Sequence, residues 1–276
     1  METKFTWKDA QGIQLAGIEW KPDAEPIGVI TLVHGLGEHY ARYQHFADFF
    51  NHSGFVVQSF DLPGHGLSSG ERGHIHSYDE VASAIDYLLE RSNASYPGKP
   101  NFLYGHSLGG SLVIYYGLHR DDLNIKCIFA SAPGLSPADP VPPTKLLLAK
   151  VMDKLAPKLM LDNALDLSGL ARDPQIEVAY RNDPLVHGKI SARLGMQLLS
   201  NGAKALQVHE YPYPLVILQG SADRLVNPIM NIEWAKHLKG PVTLKVWDGF
   251  YHELHNEPEK ESVFLYILDQ MKSYIQ

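Results

Sequence analysis

The chain has 276 residues, of which 45% are hydrophobic and 20% are charged, and its formal net charge is −7. This composition is typical of a soluble globular protein with a large core, and the length allows one large α/β domain or two small domains. Because the charge is negative and no basic cluster occurs, we expect no nucleic-acid binding. The single cysteine, Cys127, excludes an intramolecular disulfide framework.

The sequence contains no segment of the kind that crosses or is translocated through a membrane. No stretch approaches the roughly 18 consecutive apolar residues of a transmembrane helix. The N-terminal segment METKFTWKDA lacks the apolar core of a signal peptide. We therefore expect a cytoplasmic protein.

Short apolar runs alternate with helical patterns along most of the chain. The first two runs, 5–8 and 13–20, are joined at Gly12 and predict an antiparallel hairpin. The six later runs are 29–33, 55–60, 102–104, 125–130, 215–218 and 244–247. Unbroken apolar runs are typical of strands covered on both faces, and the segments between them have helical periodicity. The pattern predicts a mostly parallel sheet of about eight strands with helices on both faces.

One long segment, 135–208, interrupts this alternation. It has a helix-like pattern and begins with several prolines. An insertion between two strands of one sheet is expected over the carboxyl ends of the strands, where α/β sheets bind ligands. We predict an α/β core formed by 1–134 and 209–276, and a cap insertion formed by 135–208.

The segment NFLYGHSLGG carries the clearest chemical motif. Gly105 to Gly109 read G-x-S-x-G, directly after an apolar run and directly before a helical one. A serine on such a sharp turn between strand and helix needs small neighbours, which glycine provides. The helix that follows favours developing negative charge at its N-terminus. We predict that Ser107 is a nucleophile; the alternative is an ordinary serine in a glycine-rich turn.

A serine hydroxyl needs a base to accept its proton, and position selects the base among 14 histidines. His252 follows the last predicted strand and Asp223 follows the strand before it, so both lie at the same sheet edge as Ser107. The chain order of serine, aspartate and histidine is the one that α/β-hydrolases use. Asp248 is an alternative acid and His255 an alternative base.

A tetrahedral intermediate needs amide donors directed at its oxyanion. One expected donor is the amide of Leu108, the residue after the nucleophile, and the other should come from the loop after strand 29–33. There, the amide of Leu36 is flanked by Gly35 and Gly37, which allow the backbone to point inward. The alternative is that this loop is only a turn that ends the strand.

Five segments resemble the monoacylglycerol lipase family, within the hydrolase group that also contains lysophospholipases and serine aminopeptidases. They are HGLGEH at 34–39, FDLPGHGLSSGERG at 60–73, GHSLGG at 105–110, QGSADRLV at 219–226 and YHELHNE at 251–257. The segment AYRNDPLVHGKIS of the cap is more loosely similar. This resemblance implies an α/β-hydrolase fold with a helical cap, the same pair of oxyanion amides, and a fatty acyl ester as substrate.

The resemblance also implies a polar pocket near the glycerol hydroxyls of the substrate. Its residues in this chain would be Glu38, Arg42, Tyr180 and His255. Glu38 and Arg42 are four residues apart and could pair on a helix face. A structural ion pair that supports the loop HGLGEH at 34–39, here called the oxyanion loop, is therefore an equal alternative for these two.

The cap contains one amphipathic pattern, in TKLLLAKVMDKLAPKLML. Leu148, Val151, Met152 and Leu155 form an apolar stripe, with charged residues opposite. Such a stripe fits either packing on the rest of the protein or transient contact with a membrane surface, which would make the protein peripheral.

The remaining motifs do not predict a cofactor or a metal. PGHGLSSG at 63–70 has the spacing G-x-G-x-x-x-G and no helix opens at once, so it is not a dinucleotide site. His65, His74 and His76 lack the spacing and partners of metal ligands.

The sequence thus predicts a cofactor-free serine hydrolase that acts on a small lipid ester, with a monoacylglycerol as the best candidate substrate. A lysophospholipase or general carboxylesterase is the alternative among enzymes. A non-catalytic ligand-binding protein on a hydrolase scaffold is the alternative from another class. The oligomeric state is not predicted.

Overall fold

Eight strands form the central sheet of the protein in the computed structural model, which describes residues 1–275. The strands of the described chain are β1 (Glu2–Lys8), β2 (Gln14–Trp20), β3 (Gly28–Val33), β4 (Phe55–Phe60), β5 (Asn101–His106), β6 (Cys127–Ser131), β7 (Met160–Asp162), β8 (Lys189–Ser191), β9 (Leu215–Gly220) and β10 (Val242–Trp247). Strands β7 and β8 form a separate antiparallel pair. The order in the large sheet is β1-β2-β4-β3-β5-β6-β9-β10.

The helices of the described chain connect and cover these strands. They are α1 (Gln44–His52), α2 (Tyr78–Ser95), α3 (Leu108–His119), α4 (Pro143–Leu155), α5 (Pro174–Asn182), α6 (Ala192–Ala205), α7 (Pro228–His237) and α8 (Lys260–Ser273). Within the large sheet, β2 is antiparallel to both β1 and β4, and the other neighbouring strands are parallel. The structure therefore confirms a mostly parallel sheet of eight strands.

The core lies on both faces of this sheet. Successive residues of a strand point to opposite faces, so in β5 Leu103 packs with α2, α3 and α7, whereas Phe102 and Tyr104 pack with α1 and α8. All six residues of β3, β4, β5 and β9 are buried. Burial on both faces explains why these strands are unbroken apolar runs rather than alternating ones.

Parallel strands bring the predicted site residues to one edge of the sheet. Strands β5, β9 and β10 run in the same direction, and Ser107, Asp223 and His252 each follow the carboxyl end of one of them. Ser107 and His252, which are 145 positions apart in sequence, can therefore make contact.

Between β6 and β9 the chain forms helices α4, α5 and α6 and the small β7–β8 sheet. Each strand of that pair has three residues, too few for a periodic pattern, so the sequence did not indicate them. Helix α6 packs on the core through Leu194 and Ala205, whereas α4 has no buried residue. Whether 135–208 is the proper extent of the cap stays a prediction.

Helix α4 exposes much of its apolar stripe. Leu148 is 60% exposed and Leu155 is 78% exposed. Three of the four residues of the stripe, Leu148, Val151 and Leu155, are therefore left uncovered by the described chain. Among residues 1–275, no helix combines the length and the apolarity needed to cross a bilayer.

Candidate active site

Ser107 lies on the turn between β5 and α3, with φ 55° and ψ −116°. A non-glycine residue seldom adopts a positive φ, and such strain is concentrated at functional sites. The flanking glycines make the turn sterically possible. A Cβ on Gly105 would lie 2.2 Å from the carbonyl oxygen of Gly109, and a Cβ on Gly109 would lie 2.1 Å from that of Val33.

The structure brings Ser107, His252 and Asp223 into one hydrogen-bonded chain. The Oγ of Ser107 is 2.8 Å from Nε2 of His252. The Nδ1 of His252 is 2.8 Å from Oδ2 of Asp223. With Nδ1 protonated and bound to the carboxylate, Nε2 is free to accept the proton of the serine hydroxyl.

The carboxylate of Asp223 is fixed by several further donors. Its Oδ1 accepts hydrogen bonds from the amides of Leu225, at 2.8 Å, and Val226, at 3.1 Å. Its Oδ2 also accepts a hydrogen bond from Nε2 of Gln219 at 3.1 Å. The alternative acid, Asp248, accepts a hydrogen bond from the hydroxyl of Ser221 instead.

The site electrostatics favour the protonated form of His252. Burial alone lowers the pKa of this imidazole, but the charge and the hydrogen bond of Asp223 outweigh burial and raise the pKa above its ordinary value. The carboxyl of Asp223 responds in the opposite sense: burial raises its pKa, and the interaction with His252 brings the net pKa below the usual value. The carboxylate of Asp223 thus stabilises the imidazolium form of His252, which arises when this residue accepts the proton of Ser107.

Two backbone amides near Ser107 have no acceptor among residues 1–275. They belong to Leu36 and Leu108, and both residues line the cavity above Ser107. The loop that carries Leu36 is held by the side chain of Glu38, whose Oε1 accepts a hydrogen bond from the amide of Gly35 at 2.6 Å. Free amides beside a nucleophile can stabilise an oxyanion.

Glu38 and Arg42 belong to a buried ion cluster. Arg42 pairs with Glu38, and it also donates two hydrogen bonds to the carboxylate of Glu253, at 2.7 and 2.8 Å. The hydroxyl of Tyr43 donates to Glu38 at 2.7 Å. Burial raises the pKa of Glu253, but the paired guanidinium lowers it below the usual range. These contacts favour the supporting role of Glu38 and Arg42 that the sequence left open.

The burial of His255 contradicts the expectation that this residue contacts the substrate. Its side chain has no exposed surface, and it stacks on Tyr43 and packs edge-on against His106. It lies in the 3-10 helix formed by Leu254–Asn256 and is not part of the lining of the cavity above Ser107. Burial and the neighbouring His106 keep the pKa of His255 well below its usual value, so it is neutral. The hydroxyl of Ser107 is hydrogen-bonded to His252 and not to His255, so His255 is not placed to act as its base.

Tyr180 lies in α5 of the cap, against the oxyanion loop. Its hydroxyl donates a long hydrogen bond, 3.5 Å, to the carbonyl oxygen of Leu36. The guanidinium of Arg42 lies 4.7 Å from the centre of its ring. Its exposed fraction is only 5%, so it contributes one wall of a cavity rather than a free surface.

The cavity above Ser107 is about 170 Å³ in volume and mostly apolar. Its apolar lining includes Leu135, Leu165, Ile190, Leu198, Leu199 and Leu225. A second apolar cavity, of about 500 Å³ between α4 and α6, shares Leu135, Pro137 and Leu199 with it. Together they provide room for an apolar chain beside the nucleophile.

Several supporting residues were missed by the sequence reasoning. Gln219 and Asn231 extend the contacts of Asp223 into α7, where Nδ2 of Asn231 donates to Oε1 of Gln219 at 2.9 Å. Glu253 completes the ion cluster of Arg42. Gln219 and Glu253 lie within four residues of a predicted triad member, and this proximity in sequence is a weak signal of their role. The sequence around Asn231 contains no such signal.

Comparison with known proteins identifies the family. Residues 24–259 match the family model described as serine aminopeptidase, S33. A monoacylglycerol lipase from Mycolicibacterium smegmatis is 35% identical over 96% of this chain and 93% of its own length. The crystal structure of a monoacylglycerol lipase from Paleococcus ferrophilus has 37% identity and a TM-score of 0.86, covering 94% of this chain and 99% of that chain.

The chain belongs to the monoacylglycerol lipase family. Its fold is therefore the α/β-hydrolase fold, and the protein is a carboxylic ester hydrolase. A phospholipase from Bacillus subtilis is 34% identical to this chain over 89% of the chain and 95% of its own length. The chain spans only 27% of one longer relative, an abhydrolase domain-containing protein from Dictyostelium discoideum.

Proposed function

We propose that the protein hydrolyses monoacylglycerols to glycerol and free fatty acid through an acyl-enzyme. Ser107 is the nucleophile, His252 the general base, and Asp223 the acid that orients the imidazole. The observation that most directly supports this proposal is the pair of 2.8 Å hydrogen bonds that joins the three side chains beneath an apolar cavity. The similarity to monoacylglycerol lipases supports the choice of substrate.

Each step uses a group already in position. As Oγ of Ser107 attacks the ester carbonyl, Nε2 of His252 takes its proton and the amides of Leu36 and Leu108 stabilise the oxyanion. The imidazolium then protonates the departing alcohol, which leaves an acyl-serine. Water next attacks the acyl-serine while His252 accepts a proton from the water, and the fatty acid departs as Ser107 recovers its proton.

Replacement of the nucleophile tests the proposal. We expect Ser107→Ala to lower the hydrolysis of a monoacylglycerol by roughly 10⁴- to 10⁶-fold, because no alkoxide equivalent remains. The thermal midpoint of unfolding should change little, since the alcohol is the only group removed. Hydrolysis by the variant at the unmodified rate would refute the assignment.

A lysophospholipid substrate is the second candidate, because a phospholipase is among the similar relatives. The two candidates differ in the head group and not in the acyl chain. Rates on a monoacylglycerol, a lysophospholipid and a methyl ester of the same fatty acid would distinguish them. A faster rate on the lysophospholipid would favour the second candidate.

We also propose that the protein contacts membrane surfaces through α4 while remaining cytoplasmic. The exposure of the apolar stripe on this helix supports the contact. A substrate with one acyl chain resides in lipid aggregates. A helix that binds the lipid surface beside the cavity would therefore reduce the distance that the substrate has to travel to reach Ser107.

A further inference from the structure

Two buried side-chain amides lie behind the acid of the triad. Gln219 is the penultimate residue of β9, Asn231 lies near the start of α7, and neither has any exposed surface. The two amides are joined by a hydrogen bond of 2.9 Å, in which Nδ2 of Asn231 donates to Oε1 of Gln219. Neither residue lines the cavity above Ser107, so an effect of either on catalysis has to pass through the triad.

Gln219 contacts the oxygen of Asp223 that also holds the general base. Its Nε2 donates to Oδ2 at 3.1 Å, and the same Oδ2 lies 2.8 Å from Nδ1 of His252. An ionised carboxylate can only accept hydrogen bonds, so Gln219 has to turn its nitrogen towards Asp223. If the amide were turned over, its oxygen would face the carboxylate and repel it. The position of His252 therefore depends on which end of this amide faces Asp223.

Asn231 determines which end that is. The two ends of a glutamine amide have nearly the same shape, so packing alone does not distinguish the two orientations. The donor of Asn231 does distinguish them, because it needs the oxygen of Gln219 on its own side. Asn231 is itself oriented by the carbonyl oxygen of Pro133, which accepts a second hydrogen bond from the same Nδ2 at 2.9 Å. A fixed series of donors thus runs from Asn231 through Gln219 to Asp223.

The side-chain oxygen of Asn231 shows that this residue is not kept for packing. Within residues 1–275, Oδ1 is buried and has no hydrogen-bond partner. An unpaired buried acceptor destabilises a fold, so an apolar side chain of the same shape would fill this space at less cost. The two hydrogen bonds of Nδ2 are what an apolar side chain could not supply.

One of those two bonds could be purely structural. The carbonyl oxygen of Pro133 also accepts a hydrogen bond from the amide of Leu135 at 2.8 Å, so it keeps a partner without Asn231. By contrast, Oε1 of Gln219 has no second donor in the part of the chain that the structure describes. The contact with Gln219 is thus the one that depends on Asn231 alone.

We infer that Asn231 is a positioning residue of the active site, which holds the amide of Gln219 with its nitrogen towards Oδ2 of Asp223. This inference rests on the triad of the proposed function. It goes beyond that function by assigning an effect on catalysis to a residue that makes no hydrogen bond to the triad.

A double-mutant cycle tests the inference. Asn231→Leu and Gln219→Met each replace an amide by an apolar side chain of similar size. We expect each to lower kcat on a monoacylglycerol about 3- to 10-fold with little change in KM, the effect of one hydrogen bond. In the double variant kcat should fall no further than in Gln219→Met, because residue 231 then has no amide to orient. The NMR resonance of the proton on Nδ1 of His252 should follow the same pattern.

Two further variants separate this effect from a loss of stability. Asn231→Ala completes the same cycle with a smaller side chain, should Asn231→Leu fail to fold. Asn227→Ala is the matched control on α7, because Oδ1 of Asn227 caps the helix through the amide of Met230 at 3.1 Å and does not contact Gln219. It should lower the thermal midpoint and leave both kcat and the His252 resonance unchanged.

The outcomes distinguish the inference from the proposed function. If Asn231→Leu costs as much kcat in the Gln219→Met background as in unmodified protein, Asn231 acts through Pro133 and the inference is wrong. Full kcat in Asn231→Leu would overturn it as well. In both cases the unmodified protein is active, so the proposed function stands. Unmodified protein that hydrolyses no ester would overturn the proposed function, and the inference with it.

Discussion

At the scale of single residues, the chemistry of the site depends on the charge of Asp223, the partner of His252. The carboxylate of Asp223 has four donors around it, of which only His252 carries a titrating proton. The other three donors fix the position of the carboxylate and favour its ionised form. The negative charge of the carboxylate in turn raises the pKa of the His252 imidazole.

This arrangement predicts the pH dependence of hydrolysis. His252 must be neutral to act as a base, and its pKa lies above 6.5, so kcat/KM should fall as the pH drops through that raised value. Asp223→Asn removes the charge, so the pKa of His252 should decrease and kcat/KM should fall roughly 10³- to 10⁴-fold. Titration of the imidazole protons by NMR measures the pKa directly.

Asp248→Asn is the matched control, because Asp248 is bonded to Ser221 and does not contact the imidazole. It should leave both the pKa and the rate nearly unchanged. An imidazole pKa that is the same in Asp223→Asn and in unmodified protein would contradict this account.

The predictability of the site also differs from residue to residue. Ser107, Asp223 and His252 could be predicted because each follows a strand in a recognisable order. His255 could not be placed correctly, since its burial depends on a 3-10 turn and on packing against Tyr43 from a distant loop. Asn231 carries no local pattern at all; its contact with Gln219 arises only from the packing of α7 in the folded protein.

At the scale of elements, the cap and the oxyanion loop are joined by direct contacts. The Nε2 of His39 is 2.8 Å from Oδ2 of Asp183, and the amide of His187 donates to the carbonyl oxygen of Gly37 at 2.9 Å. A Cβ on Gly37 would lie 2.4 Å from the carbonyl oxygen of His187, so glycine is needed for this approach. The segment after α5 thus positions the loop that carries the amide of Leu36.

Removing one of these contacts should weaken catalysis more than binding. In Asp183→Ala, His39 loses its partner, so we expect kcat to fall about 10-fold or more, towards the roughly 10²-fold cost of one lost oxyanion donor. KM should change little. Asp183→Asn should restore much of kcat because its amide oxygen still accepts, and steady-state kinetics on a monoacylglycerol measures each effect.

Asp173→Ala controls for a general loss of cap stability. Asp173 caps α5 through the amide of Gln175 at 2.9 Å, and losing such a cap costs about 1 kcal/mol. It should lower the thermal midpoint with little change in kcat. A kcat loss of the same size in both variants would contradict a specific role of Asp183.

Element bounds were predictable to different degrees. Strand β4 matches the predicted run 55–60, and other buried strands differ by one or two residues at their ends, because a continuous apolar run is a strong signal. The β7–β8 pair was not predictable. Its three-residue strands depend on pairing with each other rather than on local sequence.

At the scale of the whole molecule, one face of the cap presents apolar side chains to the surroundings. Leu147, Leu148 and Leu155 are each at least 60% exposed. The periodicity of the sequence revealed the stripe but could not identify its partner, since packing and membrane contact require the same pattern.

Polar replacement on this face should weaken attachment to lipid. Burying a leucine side chain contributes about 1.5–3 kcal/mol, so Leu148→Ser with Leu155→Ser should lower vesicle binding at least about 10-fold. Co-sedimentation with phosphatidylcholine vesicles measures the change. Leu265→Ser, an exposed leucine of α8, is the control and should bind as before. Undiminished binding of the double variant would exclude α4 as the contact.

The contact between Gly37 and His187 limits which segments of this protein can be exchanged for those of a relative. Because the backbone of the cap approaches the loop to within one hydrogen bond, a cap from a relative would have to present an amide at the same distance from the carbonyl oxygen of Gly37. A chimera that exchanges the cap alone would misalign the amide of Leu36, even if both parents were active. Protein engineers who transplant the cap should therefore transfer the segment 34–39 together with it.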